Sequence, residues 1–95
     1  MDTNDVISKL KTVKPYLQRQ YAVKSVGLFG SFAVGGYTDS SDVDVMIEFE
    51  RPVGIEFIDL SLFLEKELNR KVDVVSLKGI KGKYLIEIEK DMIYV

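Results

Sequence analysis

Two strand-like segments, separated by a glycine-serine turn and a polar loop, constrain the fold of this chain more than any other feature. Residues 24–29 form a short apolar run that ends at Gly30-Ser31, and residues 41–49 alternate between apolar and polar side chains. Ten residues separate Ser31 from Asp42. The apolar run predicts a buried strand with a tight exit, and the alternation predicts a second strand with two different faces.

The second predicted strand carries a pair of acidic side chains on one face. Val43, Val45 and Ile47 fall on one face, and Asp42 and Asp44 fall on the other. Residues i and i+2 lie roughly 6.5 to 7 Å apart along a strand, so the two carboxylates can share one or two hard cations. Mg²⁺ suits such oxygen ligands and commonly bridges protein carboxylates to substrate phosphates.

A third carboxylate is expected to face this pair. Asp73 lies in a further β-rich run, residues 71–76, which follows a predicted helix and should therefore return to the same sheet. With Asp42 and Asp44 as metal ligands, Asp73 would bind a second cation or take a proton from an attacking hydroxyl.

The turn at Gly30-Ser31 has the composition of a phosphate-binding turn. Glycine adopts backbone angles closed to other residues and lets a phosphate approach closely. The Ser31 hydroxyl and the amides of a short following helix can donate to phosphate oxygens. Together with the three carboxylates, the turn predicts a site that attacks the α-phosphate of a nucleoside triphosphate.

Each of these features has a structural explanation when taken alone. A glycine-serine pair is a common turn, and an Asp-Val-Asp sequence is usually the solvated face of a strand. Asp73 alone would be a surface acid on an edge strand. The strand before the turn, the spacing and the later helix-strand unit together favour the functional interpretation.

In this combination the sequence resembles the minimal nucleotidyltransferases, stand-alone domains of the nucleotidyltransferase superfamily related to DNA polymerase beta. The resemblance runs from about Val6 to the terminal residues 91–95. It implies one nucleotidyltransferase domain over residues 1–95. The implied fold class is α/β of the α+β kind, with a small mixed β-sheet and helices packed mainly on one face.

The resemblance also implies the roles of the site residues. Gly30 and Ser31 would hold the triphosphate of ATP, Asp42 and Asp44 would bind magnesium, with two ions expected, and Asp73 would complete the triad. Many members of the family carry arginine in the short helix after the glycine-serine pair, where this chain has Val34.

A partner protein is implied by the same resemblance. Minimal nucleotidyltransferases commonly pair with a small all-helical HEPN protein, a candidate RNase toxin. The chain would be the antitoxin that transfers AMP from ATP to a tyrosine hydroxyl of this toxin and releases pyrophosphate. Two alternatives remain open, namely a non-catalytic antitoxin that acts by binding and a transferase for a small molecule such as an aminoglycoside. Val34 and an apolar helix surface widened by Ile58 and Leu62 support the first alternative, and the small size of the domain disfavours the second.

Composition bounds these functions. A chain of 95 residues, 46% of them hydrophobic, can form one core but not two. The net charge of −2 argues against a direct nucleic-acid binder, which would carry a basic patch. Because cysteine and histidine are absent, carboxylates must perform any chemistry. No run of about 18 apolar residues and no basic-then-apolar leader occurs, so we expect a cytoplasmic protein.

The remaining segments are predicted to form the scaffold. Thr3 or Asn4 is a candidate cap for an opening helix, which Pro15 would kink or divide. Residues 78–90 predict a last helix, followed by an edge strand. The apolar stripes of the two longer helices are Val6, Leu10, Val13 and Leu17 in the first and Phe57, Leu60, Leu64 and Leu68 in the second.

Overall fold

A computed structural model describes all 95 residues of the chain. The elements in chain order are α1 (Thr3–Tyr21), β1 (Val23–Phe29), α2 (Ser31–Val34), β2 (Val43–Phe49), α3 (Ile55–Leu68), β3 (Val72–Ser76), a 3₁₀ turn (Leu77–Gly79), α4 (Gly82–Glu89) and β4 (Ile93–Tyr94). The four strands form one sheet in the order β3-β2-β1-β4. Strand β2 is parallel to β3, and β1 is antiparallel to both β2 and β4. The predicted mixed sheet and the predicted edge strand are therefore confirmed.

Helices α1 and α3 pack on one face of the sheet and enclose the core. Alternate side chains of β1 and β2 point into this core, which contains no polar or charged residue. Burial of these apolar side chains is the main favourable contribution to folding. The cluster consists of Val6, Leu10, Val13, Leu17, Val23, Val26, Leu28, Phe32, Val43, Val45, Ile47, Leu60, Leu64, Leu68 and Val72.

Helix α1 is capped one residue earlier than the sequence suggested. Asp5 N donates to the Asp2 carboxylate at 2.9 Å, and Asp2 N donates to the Asp5 carboxylate at 2.9 Å. This reciprocal capping box satisfies two backbone donors at once, which neither Thr3 nor Asn4 achieves here. The prediction of a cap at Thr3 or Asn4 is therefore wrong.

Pro15 lies inside α1 without dividing it. The helix runs through the proline as one element, so the second short helix, one of the two predicted alternatives, is not formed. Proline removes one backbone hydrogen bond. Val13 and Leu17 are both buried on either side of it, and their packing holds the helix against the sheet.

Of the two later helices, α3 agrees with its prediction and the last helix begins later than predicted. The stripe of α3 is buried at Leu60, Leu64 and Leu68, while Ile58 and Leu62 remain 54% and 59% exposed, as expected from its wide apolar surface. The last helix, predicted over residues 78–90, begins only at Gly82, after the 3₁₀ turn. No helix of the chain is both long and apolar enough to cross a membrane.

Candidate active site

The open face of the sheet brings the predicted carboxylates together. Asp44 of β2 and Asp73 of β3 are register partners on adjacent parallel strands, so their side chains leave the same face. Adjacent strands lie about 4.8 Å apart, which makes the two residues direct neighbours. Asp42 lies just before β2, because the strand begins at Val43 rather than at residue 41 as predicted.

The three aspartates concentrate negative charge that no cation in the chain neutralises. Burial raises the pKa of Asp44, and the neighbouring charges of Asp73 and Asp42 raise it further. None of the three takes part in an ion pair. The ion pairs of the chain are Lys24–Glu48, Arg51–Glu56 and Lys90–Glu87.

A preformed coordination cluster is not present among these side chains. No group of three histidine, cysteine, aspartate or glutamate residues is placed to hold one metal ion. The donor chemistry nevertheless fits Mg²⁺, since all three groups are carboxylates and lack a competing cation. The metal roles of Asp42, Asp44 and Asp73 therefore stay predictions.

Gly30 contacts Asp44 so closely that only glycine fits there. Its backbone has φ of 71° and ψ of −154°, in the region that side chains other than glycine rarely adopt. A Cβ atom at this position would overlap Asp44 Oδ2 and lie 2.9 Å from Asp44 Cγ. The predicted phosphate-binding turn and the central carboxylate are thus in direct contact.

The short helix α2 begins at this turn, as predicted. The amides of Ala33 and Val34 donate to the Gly30 carbonyl at 3.0 and 3.2 Å, and the amides of Gly35 and Gly36 donate to the Ser31 carbonyl. The Ser31 side chain is half-buried and makes no hydrogen bond within the chain. Its hydroxyl is therefore available to a ligand at the turn.

Sequence reasoning missed Arg70, which holds the loop that leads into Asp42. Arg70 Nη1 donates to the carbonyls of Asp39 and Ser41, both at 2.9 Å. The guanidinium carbon also lies 5.2 Å from the centroid of the Phe32 ring. Arg70 precedes Asp73 by three residues, so one side chain links the segments that carry two of the aspartates. The only sequence signal for this role is the position of an arginine just before the β3 run.

Aromatic stacking holds the beginning of the same loop, at Tyr37. The rings of Phe32 and Tyr37 are stacked, with centroids 4.5 Å apart and an interplanar angle of 6°. Thr3 Oγ1 donates to the Phe32 carbonyl at 2.6 Å, which ties α2 to the start of α1. Residues 37–41, for which the sequence allowed either a substrate guide or a turn, form a turn in which Thr38 N donates to Ser41 Oγ at 2.8 Å.

Comparison with known families identifies this arrangement. Residues 10–95 match the nucleotidyltransferase domain family. The chain belongs to this family. The matched residues include the glycine-serine turn, all three aspartates and every strand of the sheet, so the nucleotidyltransferase domain accounts for the whole open face.

Two relatives of this nucleotidyltransferase are similar over nearly the full length. A protein of Methanocaldococcus jannaschii, provisionally named a protein adenylyltransferase, is 43% identical over 90 residues, which are 90% of each chain. The protein adenylyltransferase MntA of Thermococcus cleftensis is 32% identical over 92 residues, which are 96% of this chain and 93% of MntA.

Solved structures share the fold. A structure described as a minimal nucleotidyltransferase superposes with a TM-score of 0.85 at 28% identity and covers 98% of this chain and 95% of its own. A complex of a tri-AMPylated HEPN toxin with an MNT antitoxin from Shewanella oneidensis gives a TM-score of 0.62 at 19% identity, over 97% of this chain and 66% of the other. At that lower identity the likeness concerns the fold alone.

Val34, which departs from the pattern of many nucleotidyltransferases, lies beside the glycine turn. The side chain is 59% exposed. With Gly30 and four other residues it lines a cavity of about 250 Å³. The position is therefore open to solvent and adjacent to the predicted triphosphate site, but an isopropyl group cannot bind phosphate.

Proposed function

We propose that this nucleotidyltransferase is an antitoxin that transfers AMP from ATP to a tyrosine hydroxyl of a HEPN toxin and releases pyrophosphate. The observation that carries the proposal is the register pairing of Asp44 with Asp73, with Asp42 beside them, on the sheet face opposite α1 and α3. The relatives named protein adenylyltransferase and the fold shared with the antitoxin of an AMPylated HEPN toxin support it.

The three aspartates are the proposed metal ligands. Asp42 and Asp44 would bind Mg²⁺, and Asp73 would bind a second ion or accept a proton. When bound, Mg²⁺ offsets the negative charge of the triphosphate and of the transition state. The raised pKa of Asp44 supports this assignment, because a carboxylate that its neighbours make costly to ionise gains most from a cation.

The chain itself orients the reactants and moves one proton. Gly30 and Ser31 would hold the β- and γ-phosphates, with the Ser31 hydroxyl, which makes no hydrogen bond within the chain, as a donor. Asp73 would accept the proton of the tyrosine hydroxyl as its oxygen bonds to the α-phosphorus. The bond from the α-phosphorus to the bridging oxygen breaks in the same step, and pyrophosphate leaves.

Intact-mass analysis of the candidate toxin tests the proposal. The product of the neighbouring gene, as the candidate toxin, is incubated with the chain, ATP and Mg²⁺, in parallel with a variant that combines Asp42→Asn and Asp44→Asn. We expect a mass increase of one or more adenylyl units with the native chain and none with the variant. Transfer that persists in the variant would contradict the metal assignment, and turnover without a protein partner would point to a small-molecule acceptor.

A non-catalytic antitoxin is the second candidate. Helix α3 exposes a row of apolar side chains at Ile55, Ile58 and Leu62, which are 54% to 64% exposed and suit a protein interface. The inactive double variant separates the two candidates. If it still neutralises the toxin and the toxin mass never changes, occlusion by binding is the function.

A further inference from the structure

A cavity of about 630 Å³ lies between β3 and α4 on the open side of the sheet. Asp73 is part of its lining, and Val75 and Ser76 continue the wall along β3. Of the three cavities in the chain, it alone is lined by one of the three site aspartates. The cavity is therefore continuous with the proposed active site.

The walls of this cavity are unsuited to phosphates. Six of its ten lining residues are hydrophobic, among them Phe29, Ile80 and Tyr84. Lys81 is the one cation in the lining. A triphosphate would lose much of its hydration against such walls without comparable replacement. The occupant must be mostly apolar, with a polar group at the end that meets Asp73.

The order of the strands indicates which reactant approaches from this side. Gly30 follows β1 and Asp73 lies in β3, on opposite sides of the central strand that carries Asp44. In phosphoryl and nucleotidyl transfer the attacking and leaving oxygens lie roughly in line. With the leaving pyrophosphate near Gly30, an in-line hydroxyl enters beside Asp73, which lines the cavity together with Phe29, the residue before Gly30.

We propose that this cavity, here named the acceptor groove, binds the aromatic ring of the acceptor tyrosine with its hydroxyl directed at Asp73. The inference rests on the proposed function and adds the place where the acceptor binds. A phenol carries one polar atom at one end of an apolar ring, which matches a groove with a carboxylate at one end. A nucleobase carries polar atoms along several edges, and these would need more partners than Asp73, Ser76 and Lys81 provide.

In the transfer step in this groove, each bond that forms is matched by a bond that breaks. Asp73 accepts the proton of the phenol, the phenolic oxygen bonds to the α-phosphorus of ATP, and the bond to the bridging oxygen breaks. Both electrons of that bond leave with pyrophosphate. The products are an adenylylated tyrosine, pyrophosphate and the proton, which passes from Asp73 to solvent.

Steady-state kinetics with the intact chain and its protein acceptor test the groove. We expect Ile80→Ser to raise the KM for the acceptor about tenfold, because a polar wall no longer packs against the ring, and to leave the KM for ATP unchanged. Tyr84→Ser provides a second variant, and because Tyr84 is 67% exposed its replacement does not disturb the fold. Ile86→Ser is the matched control, since Ile86 lies on the same helix and is 65% exposed but does not line the groove.

The outcomes separate the groove from the proposed function. A raised KM for ATP with an unchanged KM for the acceptor would show that the groove holds the nucleobase and overturn the proposal. Unchanged kinetics in both groove variants would overturn it as well, with the function intact. Absence of transfer by the native chain would instead refute the proposed function itself.

Discussion

The two faces of the central strand β2 differ most at Asp44, where a carboxylate stands between two core residues. Val43, Val45 and Ile47 are fully buried against α1 and α3, whereas Asp44, between two of them in sequence, lies half-exposed on the open face. Neither α1 nor α3 covers that second face. Strand alternation thus places core and site residues side by side at the start of β2, whereas further along the strand Met46, on the same face as Asp44, is buried like its neighbours Val45 and Ile47.

A charged side chain on the buried face of β2 should have the largest effect on stability. Val45→Asp would bury a carboxylate among apolar side chains without a partner, which costs several kcal/mol. That cost is comparable to the total stability of about 5 to 15 kcal/mol expected for a domain. We expect the variant to be unfolded, without a cooperative thermal transition by circular dichroism. A cooperative transition close to that of the native chain would show that the core face tolerates charge.

Gly30→Ala tests the contact between the glycine turn and the Asp44 side chain of β2. The positive φ should cost about 1 to 3 kcal/mol, and the new methyl group must displace the Asp44 carboxylate. Displacement of a site group by about 1 Å can reduce a rate about 100-fold, so we expect that loss in AMP transfer.

Gly35→Ala is the control for the glycine substitution. Gly35 also has a positive φ, of 87°, but a Cβ atom there would meet nothing within 4 Å. It should lower the melting temperature by a similar strain and leave the rate of transfer nearly unchanged. Equal rate losses in both glycine variants would mean that strain, and not the contact with Asp44, reduces activity.

An intermediate effect on the rate of transfer is expected when Arg70 is replaced, because Arg70 joins the loop before Asp42 to the segment before β3. Arg70→Met removes both hydrogen bonds to loop carbonyls while keeping an apolar stem against Phe32. We expect kcat to fall about tenfold as Asp42 loses its fixed position, and the Mg²⁺ concentration for half-maximal rate to rise. Lys71→Met, at the exposed neighbouring position, should change neither quantity. An unchanged Mg²⁺ dependence in Arg70→Met would reduce its role to stability alone.

The smallest expected change in stability is a gain and not a loss. Asp44→Asn should raise the melting temperature by a few degrees at neutral pH without divalent cations, although it abolishes transfer. Burial and two neighbouring carboxylates raise the pKa of Asp44, so its ionisation costs the folded state more than the unfolded one at neutral pH. The cost disappears as the pH falls through the raised pKa towards the usual value of 3.8, so the advantage of the variant should vanish in acid.

Differential scanning calorimetry in a chelating buffer at neutral and acid pH measures this difference. Added Mg²⁺ should stabilise the native chain and not the variant, because a ligand that binds the folded state raises its stability. A lower melting temperature for Asp44→Asn at neutral pH would show that the carboxylate stabilises the fold.

Periodicity alone predicted most of the scaffold. Strands β1 to β3 and the buried stripe of α3 follow from side-chain alternation and helical spacing, which depend only on neighbours in sequence. The capping box between Asp2 and Asp5 was missed because it competes with other plausible caps within three residues. The 3₁₀ turn before α4 was missed because Ile80, Tyr84 and Ile88 recur every four residues, although Gly79 and Gly82 weaken the start of the predicted helix.

The site was predictable in its composition but not in its internal contacts. Strand alternation predicted that Asp42 and Asp44 share one face, and the helix before the Asp73 run predicted that this run returns to the same sheet. The hydrogen bonds of Arg70 span 29 and 31 residues in sequence, and no local pattern specifies such a contact. The contact of Gly30 with Asp44 likewise depends on the antiparallel register of β1 and β2, which the sequence pattern alone leaves open.

The contact of Gly30 with Asp44 makes the two halves of the site thermodynamically reciprocal. Since the backbone of the turn touches the carboxylate, a nucleotide that fixes Gly30 also restricts Asp44, and a cation that orders Asp44 also restricts the turn. Linkage then requires that any change one ligand makes in the affinity for the other is returned by the same factor. The chain would consequently bind ATP and its cation as a coupled pair and not as two independent ligands.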